Sequence, residues 1–331
     1  MLGRHGNSLF WMARYLERSE NIARGIQATL HHALSREDDG EQEWEAIVNN
    51  GGAGKIFKRK NHDTLSTTNI INFLLRDRDN PNSVTSLMSK ARQNGRSVRT
   101  SLTQEVWLSL NESWIACETA LNRPLSVHEL PIILEGIIKG SCLFRGALYG
   151  TMLHNDIFNF LRLGTFIERA DNTFRTVGAK HHRLLPTAKV IGGSEDQSQW
   201  EVMLRSLAAW RSFNWLNKGQ LDPLSVADFL IFDERMPRSI NFCYTEVTYN
   251  MEDLSNSYRR TDKSHDMSRE LLTVTVPPGP IGITFKNNAV FGEPWVQRDA
   301  CNQWVHQVRS LFTNRDASDQ DAPREAGERR S

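Results

Sequence analysis

Leu16-Glu17-Arg18-Ser19-Glu20-Asn21-Ile22-Ala23-Arg24 recurs 151 residues later as Ile167-Glu168-Arg169-Ala170-Asp171-Asn172-Thr173-Phe174-Arg175. Each copy runs apolar, Glu, Arg, small, acid, Asn, two variable positions, Arg, which suggests two related halves. At 100° per residue, Leu9, Met12, Leu16 and Ala23 form one apolar stripe, with Glu20 at its edge. In the second copy the stripe is Phe160, Leu163, Ile167 and Phe174, and Asp171 takes the place of Glu20. An acid on a core-facing edge must be paired or protonated, because an isolated buried charge is too costly. Two helices are therefore expected to aim an acid inward.

The remaining pattern up to residue 260 predicts an all-α, multi-helix bundle, because regular strand alternation is missing. Helices are expected from Ser8 as N-cap to Leu34, Thr68 to Leu75, Ser83 to Arg99, Thr103 to Ala120 and Pro131 to Leu153. Further ones fit Asp156 to Ala179, Trp200 to Lys218, Ser225 to Phe232 and Pro237 to Asn256, with Pro237 in a first helical turn. Residues 36 to 65 read as a loop insertion with a short helix around Trp44 to Val48 and a basic knot from Lys55 to Lys60. Pro186 and Gly192-Gly193 mark a linker. The expected division is a helical bundle over 1–260 and a divergent region over 261–331. In the latter, Leu271 to Val276 and Ile281 to Phe285 are β-like around Pro277-Pro278-Gly279-Pro280, and the end after Leu311 has a disordered composition.

Composition bounds the function. Lys+Arg 40 against Asp+Glu 39 leaves no global field to draw in nucleic acid or an anionic membrane. The four cysteines, Cys117, Cys142, Cys243 and Cys301, form no Cys-x-x-Cys pair, the usage of a reducing compartment. No signal-peptide core or membrane-length apolar run is present, so a soluble, cytoplasmic protein is expected.

Five segments carry a resemblance: Arg14-Tyr15-Leu16-Glu17-Arg18-Ser19-Glu20-Asn21, Asp79-Asn80-Pro81-Asn82-Ser83-Val84 and Ala91 to Arg99, then Phe160 to Gly164 with Ile167 to Asp171, and Met236-Pro237-Arg238-Ser239-Ile240. In that order, over roughly residues 1 to 250, they resemble the bacterial alpha-E domain family. The resemblance implies an all-helical domain of unassigned biochemistry, encoded beside circularly permuted ATP-grasp ligases and transglutaminase-like proteins. By analogy it implies a binding or accessory subunit of a system that forms peptide or amide bonds, with such a ligase or transglutaminase-like protein as partner. The family ordinarily closes with another long amphipathic helix, from which Pro277-Pro278-Gly279-Pro280 departs.

Three constellations are candidates for chemistry. Glu17 with Glu20, and Glu168 with Asp171, each share a helix face. On neighbouring helices these four carboxylates would make an all-oxygen site for a divalent cation such as Mg²⁺, Mn²⁺ or Ca²⁺, without the Glu-x-x-His of a di-iron bundle. That is the basis of an alternative in which the chain is itself a metal-dependent enzyme. The competing reading is an internal salt network, because Arg24 and Arg175 flank the acids one turn away. Second, Arg92, Arg96 and Arg99 fall at i, i+4 and i+7, so something acidic should face them. The candidates are the carboxylate set, Glu105 and Glu112, or a bound anion such as a peptide carboxylate or a phosphate. The family resemblance would bring Arg145 and Arg238 to the same pocket. Third, the doublets His31-His32 and His181-His182 suit helix C-termini better than a metal. If all charges pair off within the protein, a purely structural scaffold results. Gly51-Gly52-Ala53-Gly54-Lys55 fails as a phosphate loop, since Ile56 stands where Ser or Thr is required. Ser141-Cys142 lacks a nucleophile elbow, and no catalytic triad is recognisable.

Overall fold

A computed structural model of the chain describes residues 3–35, 44, 47–48, 54, 56–57, 66–123, 125–126, 128–184, 194–218, 221 and 223–259. The expected linker at Pro186 and Gly192-Gly193, the β-like segments and tail of 261–331, and most of the 36–65 insertion lie outside these residues. The described part is all-α, with no strand among the described residues.

The helices are α1 (Gly3–Ser35), α2 (Thr67–Leu75), α3 (Val84–Ser97), α4 (Gln104–Leu121), α5 (Leu130–Thr151), α6 (Asp156–Leu184), α7 (Ser194–Ser206), α8 (Trp210–Asn217), α9 (Pro223–Phe232) and α10 (Ile240–Arg259). Side-chain caps start five of them among the described residues: the oxygens of Ser66, Ser83, Thr103, Asn155 and Ser239 accept from the backbone N–H of Asn69, Ser86, Val106, Phe158 and Phe242. Ser8 is not a cap, because α1 begins five residues earlier. The expected single helix from Trp200 to Lys218 is two helices. The Ala209 N–H turns back to the Leu204 carbonyl at 2.7 Å, Ala208 adopts φ 53°, and buried Leu207 and Ala209 pin the break into the core. Pro237 lies in the turn before α10 rather than in its first turn, and Ser239 Oγ accepts from the Phe242 N–H at 3.0 Å. Within the insertion, Trp44, Val48 and Phe57 are buried, and the Phe57 ring packs edge-on against Phe73 at 5.0 Å.

Helix α1 is the axis of the bundle, packed against α3, α5, α6 and α7, while α10 covers α6 and α4 pairs with α5. Contacts between α1 and α6 advance together, from Gly6 on Phe160 to Phe10 on Gly164, so the two motif helices run parallel. Gly164 makes the approach possible: a Cβ there would stand 2.2 Å from the Phe10 carbonyl oxygen. Gly95 of α3 does the same against softer neighbours, with Leu110 Cδ2 at 2.5 Å and Met12 Sδ at 2.9 Å from an added Cβ. Gly95→Ala is expected to cost about 1–3 kcal/mol, readable by urea denaturation. An unchanged midpoint would show that α3 is free to slide.

Candidate functional site

The repeated motif meets itself across the α1–α6 interface. Glu17 of the first copy accepts from Arg169 Nε of the second at 2.9 Å, and Glu168 of the second accepts from Arg18 Nε of the first at 2.6 Å. Each Glu-Arg pair therefore gives its acid to the other helix and takes the other's acid in return. Further guanidiniums close around these carboxylates. Arg14 donates to Glu168 at 2.8 Å through Nε, with Nη2 at 2.7 Å. Arg145 of α5 donates to Glu17 at 3.1 Å and to Glu20 and Ser141. Arg238 bridges Glu17 and Glu20 at 2.9 Å each and donates to Asn21 Oδ1 at 2.7 Å. One turn on, Arg24 binds Glu20 at 2.8 Å and Arg175 binds Asp171 at 2.9 Å.

The other shared segments place these groups. Buried Asn80 holds the turn between α2 and α3, donating to the Phe73 carbonyl at 3.0 Å and accepting from the Asn82 N–H at 3.0 Å. That turn brings Asn82 Oδ1 to Arg18 Nη1 at 3.2 Å. In the turn before α10, Ser239 Oγ donates to the Asp233 carbonyl at 2.5 Å, and the Arg238 carbonyl accepts from Thr173 Oγ1 at 2.7 Å. Arg238 is thereby fixed from both sides and reaches the acids 95% buried.

The electrostatics follow from depth and neighbours. Burial opposes ionisation of Glu168, but Arg18, Arg14 and Arg175 outweigh it and hold its pKa down at about 2. Glu20 is likewise held well below the usual carboxylate range by Arg238, Arg145 and Arg24 against the cost of burial. Asp171 goes the other way: burial raises its pKa, and Arg175 does not fully offset that while Glu168 adds to it. Arg238 is pulled down, by burial first and by Arg169 and Arg24 beside it, despite Glu17 and Glu20.

The four carboxylates do not converge on a common point for a metal. Among the described residues no group of three or more His, Cys, Asp or Glu side chains is arranged to hold one. The physical reason is the company they keep: seven arginines face four acids, so the cluster is positively charged before any cation arrives. Arg92 and Arg96 of α3, and Arg99 in the 3-10 turn (Arg99–Ser101) that follows it where the helix was expected to continue, stand apart from it. Arg92 donates to Asn111 at 2.8 Å and lies 4.0 Å over the Trp114 ring, Arg99 lies 5.3 Å over Trp107, and Arg96 is exposed. For Arg92 and Arg99 the expected acids are replaced by indole faces, which hold a guanidinium without a counter-charge. Arg145 and Arg238 join Glu17 and Glu20 instead. Arg92→Ala is accordingly expected to cost only about 1 kcal/mol in thermal unfolding, and a loss several times larger would mean the stripe is structural.

Sequence reasoning did not single out Arg14, Arg18 or Arg169. The signal was present for two of them, because the arginine after the glutamate stands at the same place in both copies. His31-His32 lies near the end of α1, and His181-His182 lies near the end of α6 with side chains outside the described ones. Of the free cysteines described, Cys117 and Cys243 are buried and Cys142 is exposed beside Arg145 Nη2 at 3.4 Å. Away from the network, Asn69, Asn72, Arg76, Glu118 and Asn122 line a cavity of about 440 Å³ between α2 and α4.

Comparison with known proteins adds the following. Residues 1–276 match the profile of a family described as a predicted alpha-helical domain with a conserved ER motif. Uncharacterized protein Mb2597 of Mycobacterium bovis is 23% identical over 269 residues, which is 76% of this chain and 30% of that protein. Uncharacterized proteins MT2643 and Rv2567 of Mycobacterium tuberculosis are 23% and 22% identical over the same shares. The match thus spans less than a third of the length of these relatives. No solved structure matches the chain.

Proposed function

The chain belongs to the Alpha-E family, and from that premise we propose that it is a non-catalytic binding or accessory subunit of an ATP-grasp-linked system that forms peptide or amide bonds. The observation that carries the proposal is the use to which the repeated acids are put. Glu17, Glu20, Glu168 and Asp171 are the groups best suited to act as bases or ligands, and all four are engaged by guanidiniums that tie α1, α5, α6 and the turn before α10 together. A carboxylate so held serves the fold. Two supports concern the partner. In its relatives the matched segment lies within a much longer chain, the arrangement of a module that works beside other segments. The class of partner, an ATP-grasp ligase or a transglutaminase-like protein, is what the family resemblance implies by analogy. Among the described residues no helix is long and apolar enough to cross a membrane, and we place the subunit in the cytoplasm, where a ligase would draw on ATP.

Co-expression with the ATP-grasp ligase encoded nearest to it tests the proposal. A stable complex is expected, with ATP-dependent amide formation severalfold faster than by the ligase alone. Equal rates without co-purification would sink the accessory role. Metal analysis of the purified chain by mass spectrometry separates the enzyme alternative. Metal well below one ion per chain is expected, and a stoichiometric ion that disappears in Glu17→Gln would restore the four-carboxylate site.

A further inference from the structure

The arginine network is unevenly balanced, and its two halves differ. Around Glu168 and Asp171 stand Arg14, Arg18 and Arg175. Around Glu17 and Glu20 stand Arg24, Arg145, Arg169 and Arg238, so this half carries two acids against four guanidiniums. Arg169 and Arg238 are deeply buried there, while Arg24 and Arg145 are each 19% exposed and form its solvent edge. Desolvating guanidiniums in excess of their counter-charges is costly.

The buried polar atom left without a partner in this half is a donor. Arg24 uses only Nε, on Glu20, and among the described residues its Nη1 and Nη2 make no hydrogen bond, which leaves its outer edge uncommitted. Asn21, one turn before Arg24 and 92% buried, accepts from Arg238 through Oδ1, yet its Nδ2 is a buried donor without a partner. A buried donor left unmade has given up its bonds to water without replacement, a loss that an acceptor beside it would restore. Unlike the other half, where the unpartnered Asp171 Oδ1 offers an acceptor, no unpartnered buried acceptor stands among these groups.

We propose that Asn21, Arg24, Arg145 and Arg238 form a binding site for a carboxylate or phosphate group of a small anion. The planar outer edge of Arg24 grips two of its oxygens, the Asn21 amide donates to it, and the surplus charge of Arg145 and Arg238 draws it in. Glu20 fixes the inner edges of three of the guanidiniums, so the site is assembled before the anion arrives. This gives the domain a ligand of its own, independent of whether a ligase is its partner. It also moves the anion chemistry expected of Arg92, Arg96 and Arg99 onto a different set of arginines.

The repeat supplies the control. Arg175 is the counterpart of Arg24, held to Asp171 in the same i,i+4 manner. The test is calorimetric titration of the full chain with inorganic phosphate and with citrate, against sodium chloride at equal ionic strength. Saturable binding of phosphate, citrate or both is expected, and the stronger of the two identifies the group. Arg24→Gln should weaken it by about tenfold or more, while Arg175→Gln should leave it within about twofold. Should Arg24→Gln fail to fold, Arg24→Lys, which keeps the charge and loses the planar edge, is titrated in its place with the same expectation. Neither anion binding beyond the chloride control, or equal losses in the two arginine variants, would overturn the proposal.

Discussion

Replacing Glu168 with glutamine is expected to lower the unfolding free energy by about 3–5 kcal/mol, measured by urea denaturation. Glu168 is fully buried and is the common partner of Arg14, Arg18 and Arg175. The amide keeps the shape but removes the charge, so those guanidiniums remain in a low-dielectric interior with nothing to neutralise them. Glu20→Gln should behave alike, since it strands Arg24, Arg145 and Arg238. Asp171→Asn should cost under about 1 kcal/mol, because Asp171 is 15% exposed and burial already disfavours its charge. Equal effects of the three substitutions would contradict the arrangement described. The same contrast sets the response to acid. The folded-state pKa of Glu168 lies near 2 and that of Glu20 is also lowered, so both contribute stability that is present above about 4.5 and lost as pH falls toward 2. Asp171, with a raised pKa, has the opposite sign: its ionisation subtracts stability as pH rises through its titration. The two deeper acids dominate, and the denaturation midpoint should decline steeply below pH 4.5 in the parent and more gently in Glu168→Gln.

Gly164→Ala is expected to be at least as damaging, with a loss of about 3 kcal/mol or more and a melting temperature lower by roughly 6–12 °C. The added methyl group would stand 2.2 Å from the Phe10 carbonyl oxygen, a backbone atom that cannot rotate away. Relief requires moving α1 from α6, and the exchanged pairs Glu17–Arg169 and Glu168–Arg18 lengthen together. Gly146→Ala is the matched control on α5, where nothing lies within 4 Å of the new carbon. It should be neutral or stabilising by up to about 1 kcal/mol. Indifference to Gly164→Ala would rule out the close parallel approach of the motif helices.

Much of the fold was legible from the chain because helix periodicity and caps are local. Ser66, Ser83 and Thr103 mark helix starts to within a residue or so of where the chain predicts them. The break at Ala208 was not legible, because a left-handed residue that is neither Gly nor Asn leaves no compositional mark and is imposed by burial of Leu207 and Ala209. The network was legible in its local half only. Periodicity points to Glu20 and Asp171 and, one turn on, to Arg24 and Arg175, since i,i+4 pairs are written in the spacing. Arg14, Arg145, Arg169 and Arg238 meet their acids across 125 to 218 residues of chain, and no spacing rule encodes such a meeting. Arg92 and Arg99 were read as needing acids because aromatic faces, the partners they take, are indistinguishable in sequence from core residues.

The exchange of Glu-Arg pairs also constrains how the protein is made. Arg18 leaves the ribosome 150 residues before Glu168, an interval of roughly 8–30 s at about 5–20 residues per second. Throughout that time the bundle's axial helix has been synthesised but lacks the strand of chain that neutralises and covers it. Its interior face is laced with Arg14, Glu17, Arg18 and Glu20, groups that water solvates well, so the waiting helix is less adhesive than a purely apolar one. Nascent chains stalled before residue 168 should therefore stay soluble and protease-sensitive, and become resistant together once α6 has emerged.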